Sequence, residues 1–426
     1  MSRIPLGRAH HAVSSLIREL RTAATRVALT PTGGLRRAAP DIGRLSILGV
    51  HGAEGAEPFL DICAQLPSAV RLVSRTDTAV AIETRHGVVS IHAAAEHHAG
   101  AALLCLTGPA DHLAALDALA EAQGLQLADG HLSDRDGRPV HAPSEEAVYQ
   151  RLGLHFIPPE LREDTDALES ARQTPFPPLV NSLHIRGDLH MHSHWSDGRD
   201  SLAEMVAACA ALGYEYMAIT DHSPRAGSSR QLTHDGVPRQ RAEVDALRRA
   251  YPRMTILHGV EVDIMPDGTL DFDDETLRGF DLVLASLHDG AGQPPEQLTN
   301  RYLRAIANPL VTAITHPANR SPLVRPGYDL DFDALFRAAR ETGTAVEIDG
   351  APGHLDMDGT LARRAVAAGV PIIVSSDAHR ASALARQMRF GVATARRGRV
   401  EPHHVINTRS REHVLGFIAS KRARAA

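Results

Sequence analysis

The sequence predicts an α/β protein in two parts, with a parallel β/α barrel forming its C-terminal half. From residue 184 onward seven short apolar runs, "HIRGDLHMH", "YEYMAITDH", "MTILHGVEVDI", "DLVLASLH", "VTAITHP", "TAVEIDG" and "VPIIVSSDAH", alternate with helical stretches such as "SLAEMVAACAALG" and "DALFRAARETG". Strands and helices in strict alternation build a parallel sheet, and seven units of this length close naturally into a barrel. The first 140 residues are different. Strand-like apolar segments ("RLSILGV", "SAVRLVS", "AVAIET", "GVVSIHAA", "AALLCLTG") mix there with helical ones ("EPFLDICAQL", "DHLAALDALAEAQGL"), after an amphipathic helix in "SSLIRELRTAATRVAL". Residues 141–185 read as a proline-rich, charged connector around one short helix.

Composition narrows the function classes. With 43% apolar residues the 426-residue chain can bury sizeable cores, and a net charge of −6 argues against broad nucleic-acid binding through a positive surface. No apolar run approaches the roughly 18 residues that suggest a membrane helix, so a cytoplasmic protein is expected. Cys63, Cys105 and Cys209 are scattered in apolar or alanine-rich stretches and read as small buried residues rather than a disulfide framework. Lys421 is the only lysine. Schiff-base catalysis therefore has no obvious amine.

In a parallel barrel the chemistry sits at the carboxyl ends of the strands. Six of the seven runs end there in imidazole or carboxylate: His190 and His192, Asp221 and His222, Glu261, His288, His316, and Asp377 and His379. The remaining run ends in Glu347 and Asp349, candidates for supporting or substrate-facing groups. Side chains at i and i+2 of an extended segment face one side, so His190 with His192, and Asp377 with His379, can converge on one point. A single strand-end histidine is commonly just a hydrogen-bonded core residue. Convergence of so many on one rim points to a metal site instead, and imidazole with carboxylate suits Mn, Zn or Fe. His194 and Ser196 read as loop residues, and the "SDG" around Asp197 also reads as a simple turn. The pairs His10–His11, His97–His98 and His403–His404 read as solvated, as does the basic "SKRARAA" at the C-terminus.

At these residues the chain resembles the polymerase and histidinol phosphatase (PHP) family, through "DLHMHSHWSDG", "ITDHS", "GVEVDI", "SLHDG", "THPANR" and "SSDAH", in the family's order across the C-terminal half. The resemblance implies a distorted seven-stranded barrel holding up to three divalent metals, with ligands His190, His192, Asp197, His222, Glu261, His288, His316, Asp377 and His379. Glu261 would bridge two of the metals. The junction "EEAVYQRLGLHFIPPELRE" followed by "IRGDLHMHSHWSDG" is similar to that of bacterial family X DNA polymerases, whose C-terminal PHP domain is a metal-dependent 3′→5′ exonuclease. The stretches "GGLRRAAPDIGRLSILGV" and "HGVVSIHAAAEHHAGAALLCLTG" then look like a degenerate nucleotidyltransferase-like palm. The division implied is a palm-like part over 1–140, a thumb-like remnant and linker over 141–185, and the phosphoesterase domain over 186–426.

Departures from that pattern matter as much. Nucleotidyl transfer needs paired aspartates on one strand and a third on its neighbour, yet the expected pair falls on Gly43, Arg44, Leu45 and Ser46, and the third near Ser90. No polymerase activity is expected. The family's N-terminal lyase and helix-hairpin-helix regions have no evident counterpart. In "VEIDGAPGHLDMD", Asp349 and His354 stand where the family has asparagine and arginine, which removes a phosphate clamp.

The expected chemistry is hydrolysis of a phosphoester, with Glu261, Asp377, His379 and Asp188 as candidate catalytic residues. Asp188, Asp221 and Asp349 are candidates to orient ligand histidines, or simply to cap turns. Arg225, Arg320, Arg380 and Asp349 are candidates for substrate contact, or exposed charges beside loops. A 3′→5′ exonuclease on DNA ends leads. A phosphomonoesterase on a histidinol-phosphate-like or nucleotide substrate and a non-catalytic DNA-binding module are the alternatives. Oligomeric state is left open.

Overall fold

The computed structural model describes residues 3–423 and divides the chain into two compact units, 1–177 and 178–426. The first unit is built on a five-stranded mixed sheet. Its strands lie in the order Ala28–Pro31, Leu45–His51, Gly87–Ala95, Ala79–Thr84, Arg71–Arg75, and only the Leu45–His51 and Gly87–Ala95 pair is parallel. Helices cover both faces. A Cβ at Gly49 would lie 2.4 Å from the Phe59 ring of helix Glu57–Ala64, while Leu48, pointing the other way, clusters with Ala94 and with Ala102 of helix Ala99–Thr107.

That last helix corrects one expectation, since "AALLCLTG" is helical rather than strand-like. A short apolar run fits a buried helix as well as a buried strand, and here alanine favours the helix. The N-terminal helix runs Leu6–Ala23 and stops short of "RVAL", which enters strand Ala28–Pro31. The connector also holds more structure than expected: helices Glu145–Arg151 and Ala167–Gln173 flank a single 3-10 turn, Pro159–Leu161.

In the second unit all seven expected strands form: β1 (Gly187–Asp188), β2 (Tyr216–Ile219), β3 (Thr255–Asp263), β4 (Leu282–Ser286), β5 (Ala313–Ile314), β6 (Ala345–Asp349) and β7 (Ile372–Ser375). They pair in parallel in chain order. Ala218, Leu257, Leu284, Ala345 and Ile373 belong to one buried cluster, and each lies two or four residues before a polar strand-end residue, on the same strand face. The apolar layer therefore fills the barrel beneath the polar rim. Val414 and Ile418 of helix Arg411–Ala423 join this cluster from below. The expected solvated tail, whose residues 424–426 lie outside the described residues, is core at its start: Lys421 is buried, and its Nζ donates to the Ile306 carbonyl at 3.0 Å. Its butyl stem packs while the ammonium finds a carbonyl.

The barrel closes without a regular ladder between β1 and β7. Beyond β1, Met191 and Ala378 form an isolated parallel bridge, with the Asp377 N–H donating to the His190 carbonyl and the His192 N–H to the Ala378 carbonyl, both at 3.0 Å. Asp188 Oδ1 accepts from the N–H groups of His190 and Ser376 at 3.3 and 3.2 Å. Lower down, buried Asn407 donates to the carbonyls of Gly187 (2.8 Å) and Val374 (2.7 Å) and accepts from the Val374 N–H (3.0 Å). The seam is stitched by side chains, which is why the barrel is distorted there. Asn407→Ala should cost about 2–4 kcal/mol, since it strands several buried backbone groups; denaturant unfolding with an unchanged midpoint would refute this role.

Candidate metal centre

The strand ends and the loop after β1 bring the nine expected ligands into one linked cluster, with Glu261 as its hub. Oε2 of Glu261 lies 3.3 Å from His190 Nε2, 3.5 Å from His192 Nε2 and 2.9 Å from His222 Nδ1. Oε1 lies 2.9 Å from His316 Nε2 and 3.8 Å from His288 Nε2. The two oxygens of one carboxylate thus face two different sets of imidazoles. Asp377 Oδ1 is 3.0 Å from His192 Nε2, 3.6 Å from His190 Nε2 and 3.7 Å from His379 Nδ1. Asp197 Oδ1 is 3.2 Å from His379 Nε2 and 3.6 Å from His222 Nε2.

Three groupings follow: His192, Asp197, His222 and His379; His190, His192 and Glu261; and His222, Glu261 and His288, each with one donor atom per residue within 4.8 Å of the others. These residues fit divalent ions. The Nε2 atoms of His190 and His192 face each other at 3.2 Å, and His222 Nδ1 approaches Glu261 Oε2 without the alignment of a hydrogen bond. Lone pairs aimed at a common point suit a shared cation better than a shared proton.

Local structure sets these directions. His316 and Asp377 have φ of +24° and +47°, left-handed values that turn the chain sharply at the ends of β5 and β7 and are costly for non-glycine residues. The loop carrying Asp197 folds back so tightly that a Cβ at Gly198 would lie 2.6 Å from the Ser193 backbone. Arg230 ties it down by donating to the Ser196 and Gly198 carbonyls at 2.9 and 3.0 Å.

Supporting groups are partly those expected. Glu347 Oε1 is 2.7 Å from His190 Nδ1, and its Oε2 accepts from the His316 N–H at 2.9 Å. A carboxylate on Nδ1 fixes the tautomer that leaves Nε2 free for the centre. Among the described residues Asp221 accepts hydrogen bonds from serines and a glutamine rather than from an imidazole. It accepts from the Ser193 and Ser196 hydroxyls at 2.7 and 2.6 Å and from Gln240 Nε2 at 2.6 Å, holding the loop after β1. Asp188 likewise sits at the seam and in none of the three groupings. Asp263 was missed. It is fully buried, two residues past Glu261 on the same strand face, and accepts from the N–H groups of His288 (2.7 Å) and Asp289 (3.1 Å).

The substrate candidates separate. Arg225 and Arg380 are exposed, Arg320 is already paired with Asp358 at 3.1 Å, and Asp349 is fully buried. Of the histidine pairs read as solvated, His11, His97 and His403 are exposed, but His10, His98 and His404 are half-buried.

Burial works against every charge here and the neighbours decide the outcome. His190 is depressed by burial but carried well above the usual imidazole range by Glu347, Glu261 and Asp377. Glu261 is held well below the carboxylate range, His222 and His190 overcoming burial. His192, buried beside His379 and His222, falls to about 3. Burial also opposes the charge on His316 and His379, yet Glu261 raises the first and Asp377 with Asp197 the second, each from 6.5 to about 9. A raised folded pKa contributes stability fully present below about 6.5 and lost as the pH climbs through 9. Chelator-treated protein should therefore melt at lower temperature at about pH 9.5 than at about pH 6.5. Saturating Mn²⁺ should flatten or reverse this trend, because ligation takes neutral imidazole. A melting temperature unchanged across that window would contradict the assignment of these ion pairs.

Comparison with known proteins places this geometry. The PHP domain model matches residues 188–316 and the DNA polymerase beta thumb model residues 102–163. The DNA polymerase/3′-5′ exonuclease PolX of Bacillus subtilis (strain 168) is 35% identical over 425 residues, 98% of this chain and 73% of that protein. The chain belongs to the PolX family. Other relatives meet the PolX-type chain over a shorter span. A probable phosphatase of Acetivibrio thermocellus is 34% identical over 201 residues, 45% of this chain and 78% of its own. Another, of Syntrophotalea carbinolica, is 29% identical over 255 residues, 56% of this chain and 98% of its own. A hydrolytic, metal-binding barrel of PolX type, with a polymerase-like region before it, is the coarse identity. Among the described residues no helix is long and apolar enough to cross a membrane.

Proposed function

We propose that this PolX-family protein is a metal-dependent phosphodiesterase of the cytoplasm that removes nucleotides from DNA 3′ ends and does not synthesise DNA. The observation that carries it is the hub: one buried carboxylate, Glu261, whose two oxygens face five imidazoles from four strand ends. Up to three divalent ions, Mn, Zn or Fe, would be held by His190, His192, Asp197, His222, Glu261, His288, His316, Asp377 and His379. Bound there, they would supply charge neutralisation at the phosphate and acidification of water.

The chain's own groups do the rest. Glu347 holds His190 in the ligating tautomer, Asp263 fixes the backbone of His288, and Asp221 anchors the loop that presents Asp197. Glu261, Asp377 and His379 border the reacting phosphate. Asp188 serves by fixing the seam under His190, and exposed Arg225 and Arg380 contact the phosphate backbone.

The first unit supports the loss of synthesis: Ser46 and Ser90 face each other across the parallel strand pair and Arg44 is exposed. These are the places where acidic ligands would be required. Nearby cations are spoken for: Arg36 forms a two-pronged pair with Glu145 (2.8 and 2.6 Å), Arg162 adds a third contact at 2.7 Å, and Arg37 pairs with Glu163 at 2.9 Å. The thumb-like part begins near 102, ahead of the expected boundary at 140, and leads into the linker that ends near 185; we assign this region to guiding DNA.

A phosphomonoesterase is the second reading. The phosphatase-named relatives cover only 45% and 56% of this chain, and His354 in place of an arginine would weaken a grip on polynucleotide phosphate. The test is a 5′-labelled oligonucleotide with Mn²⁺, with and without a terminal phosphorothioate at its 3′ end, beside a primer-template with all four deoxynucleotides. A ladder shortening from the 3′ end, slowed by the sulfur and never lengthened on the template, is expected; templated extension would refute the claim about synthesis, and an intact oligonucleotide the claim about DNA.

A further inference from the structure

Beside the nine residues, a second knot of polar groups lies against the same wall of the barrel. Asp349 ends β6, Asp377 follows β7, and the turn after β6 brings His354 back to them. One donor atom from each of the three lies within 4.8 Å of the other two. Asp349 has no exposed surface. Its Oδ1 accepts the Ala351 N–H at 2.6 Å, which pins the carboxylate, while among the described residues Oδ2 has no hydrogen-bond partner, and neither does His354 Nδ1. The His354 ring is stacked on His316 with centroids 5.2 Å apart and planes at 25°, so it is held in place. The turn has no slack: a Cβ at Gly350 would lie 2.0 Å from the Gln387 carbonyl oxygen.

Two buried carboxylates and an imidazole with unused lone pairs make a costly arrangement unless something positive is shared among them. Asp377 turns Oδ1 towards His192, His190 and His379, which leaves its other oxygen for this neighbour.

We propose that Asp349, His354 and Asp377 form a further divalent-cation site, contiguous with the nine-residue centre and distinct from it. It rests on the reading that the nine-residue centre binds metal. One nitrogen and two carboxylate oxygens, with water completing the shell, suit Mn²⁺ or Zn²⁺. Asp377 is the bridge between this ion and the centre.

The full chain, stripped with chelator and reloaded with Mn²⁺, should hold about one equivalent more metal than either Asp349→Asn or His354→Gln. Crystals of the Mn²⁺-loaded wild type should show an anomalous-scattering peak enclosed by Asp349, His354 and Asp377, as well as peaks around Glu261. Peaks around Glu261 alone, or equal metal content in wild type and both folded variants, would overturn the further site while sparing the centre. Absence of metal at both places would overturn the centre too. The wild-type crystal decides the matter even if a variant fails to fold.

Discussion

Replacing His190 and His192 together by alanine is expected to abolish metal-dependent phosphoester hydrolysis and to empty the centre of tightly bound Mn²⁺. Both imidazoles are fully buried and both direct Nε2 at Glu261 and Asp377, so the double change removes the donors that connect those two carboxylates. Losing a group that merely orients a ligand costs roughly 10- to 100-fold in metal affinity or activity; losing two ligands outright should exceed that and leave no measurable turnover. The far-ultraviolet circular dichroism should stay that of the wild type, because the apolar layer beneath the rim is untouched. The melting temperature should drop, since Glu347 loses its imidazole partner in a dry interior. Full activity in a folded double variant would end the assignment of the centre.

Glu261→Gln should be nearly as damaging, although it changes almost no volume. An amide keeps one acceptor but presents an N–H₂ to one of the two imidazole sets, either His190, His192 and His222 or His288 and His316, and brings no charge. The expected fall in kcat is on the order of 10²–10³-fold, the scale on which one preorganised electrostatic group is felt, with Mn²⁺ binding weakened in parallel. If kcat fell while metal content stayed at the wild-type value, Glu261 would be acting on substrate and not as the bridging carboxylate.

The strand ends were legible because a barrel strand has a period of two and its polar end is also its functional end, so His190, His192, Glu261, Asp377 and His379 identify themselves by position. What stayed hidden depends on closure. The seam role of Asp188 could not be read from "GDLHMH", because its partners, the N–H groups of His190 and Ser376, come together only when β1 and β7 meet. Asn407 gave no signal at all, because its work across β1 and β7 exists only once the barrel is shut. Asp263 was visible in principle as the i+2 neighbour of Glu261. The helix at Ala99–Thr107 shows the limit of apolar runs as strand markers, and buried Lys421 the limit of charge as a sign of exposure.

The central claim is that the Glu261-centred residues hold metal for hydrolysis of DNA ends. The most direct measurement supplies 3′-labelled single-stranded and gapped DNA and, separately, histidinol phosphate to the purified protein, with Mn²⁺ and after chelation, and identifies the products. Release of labelled mononucleotide that requires Mn²⁺, disappears on chelation and exceeds turnover of the phosphomonoester is the predicted result. Hydrolysis of the monoester with the DNA left intact, or DNA degradation that survives chelation, would contradict it.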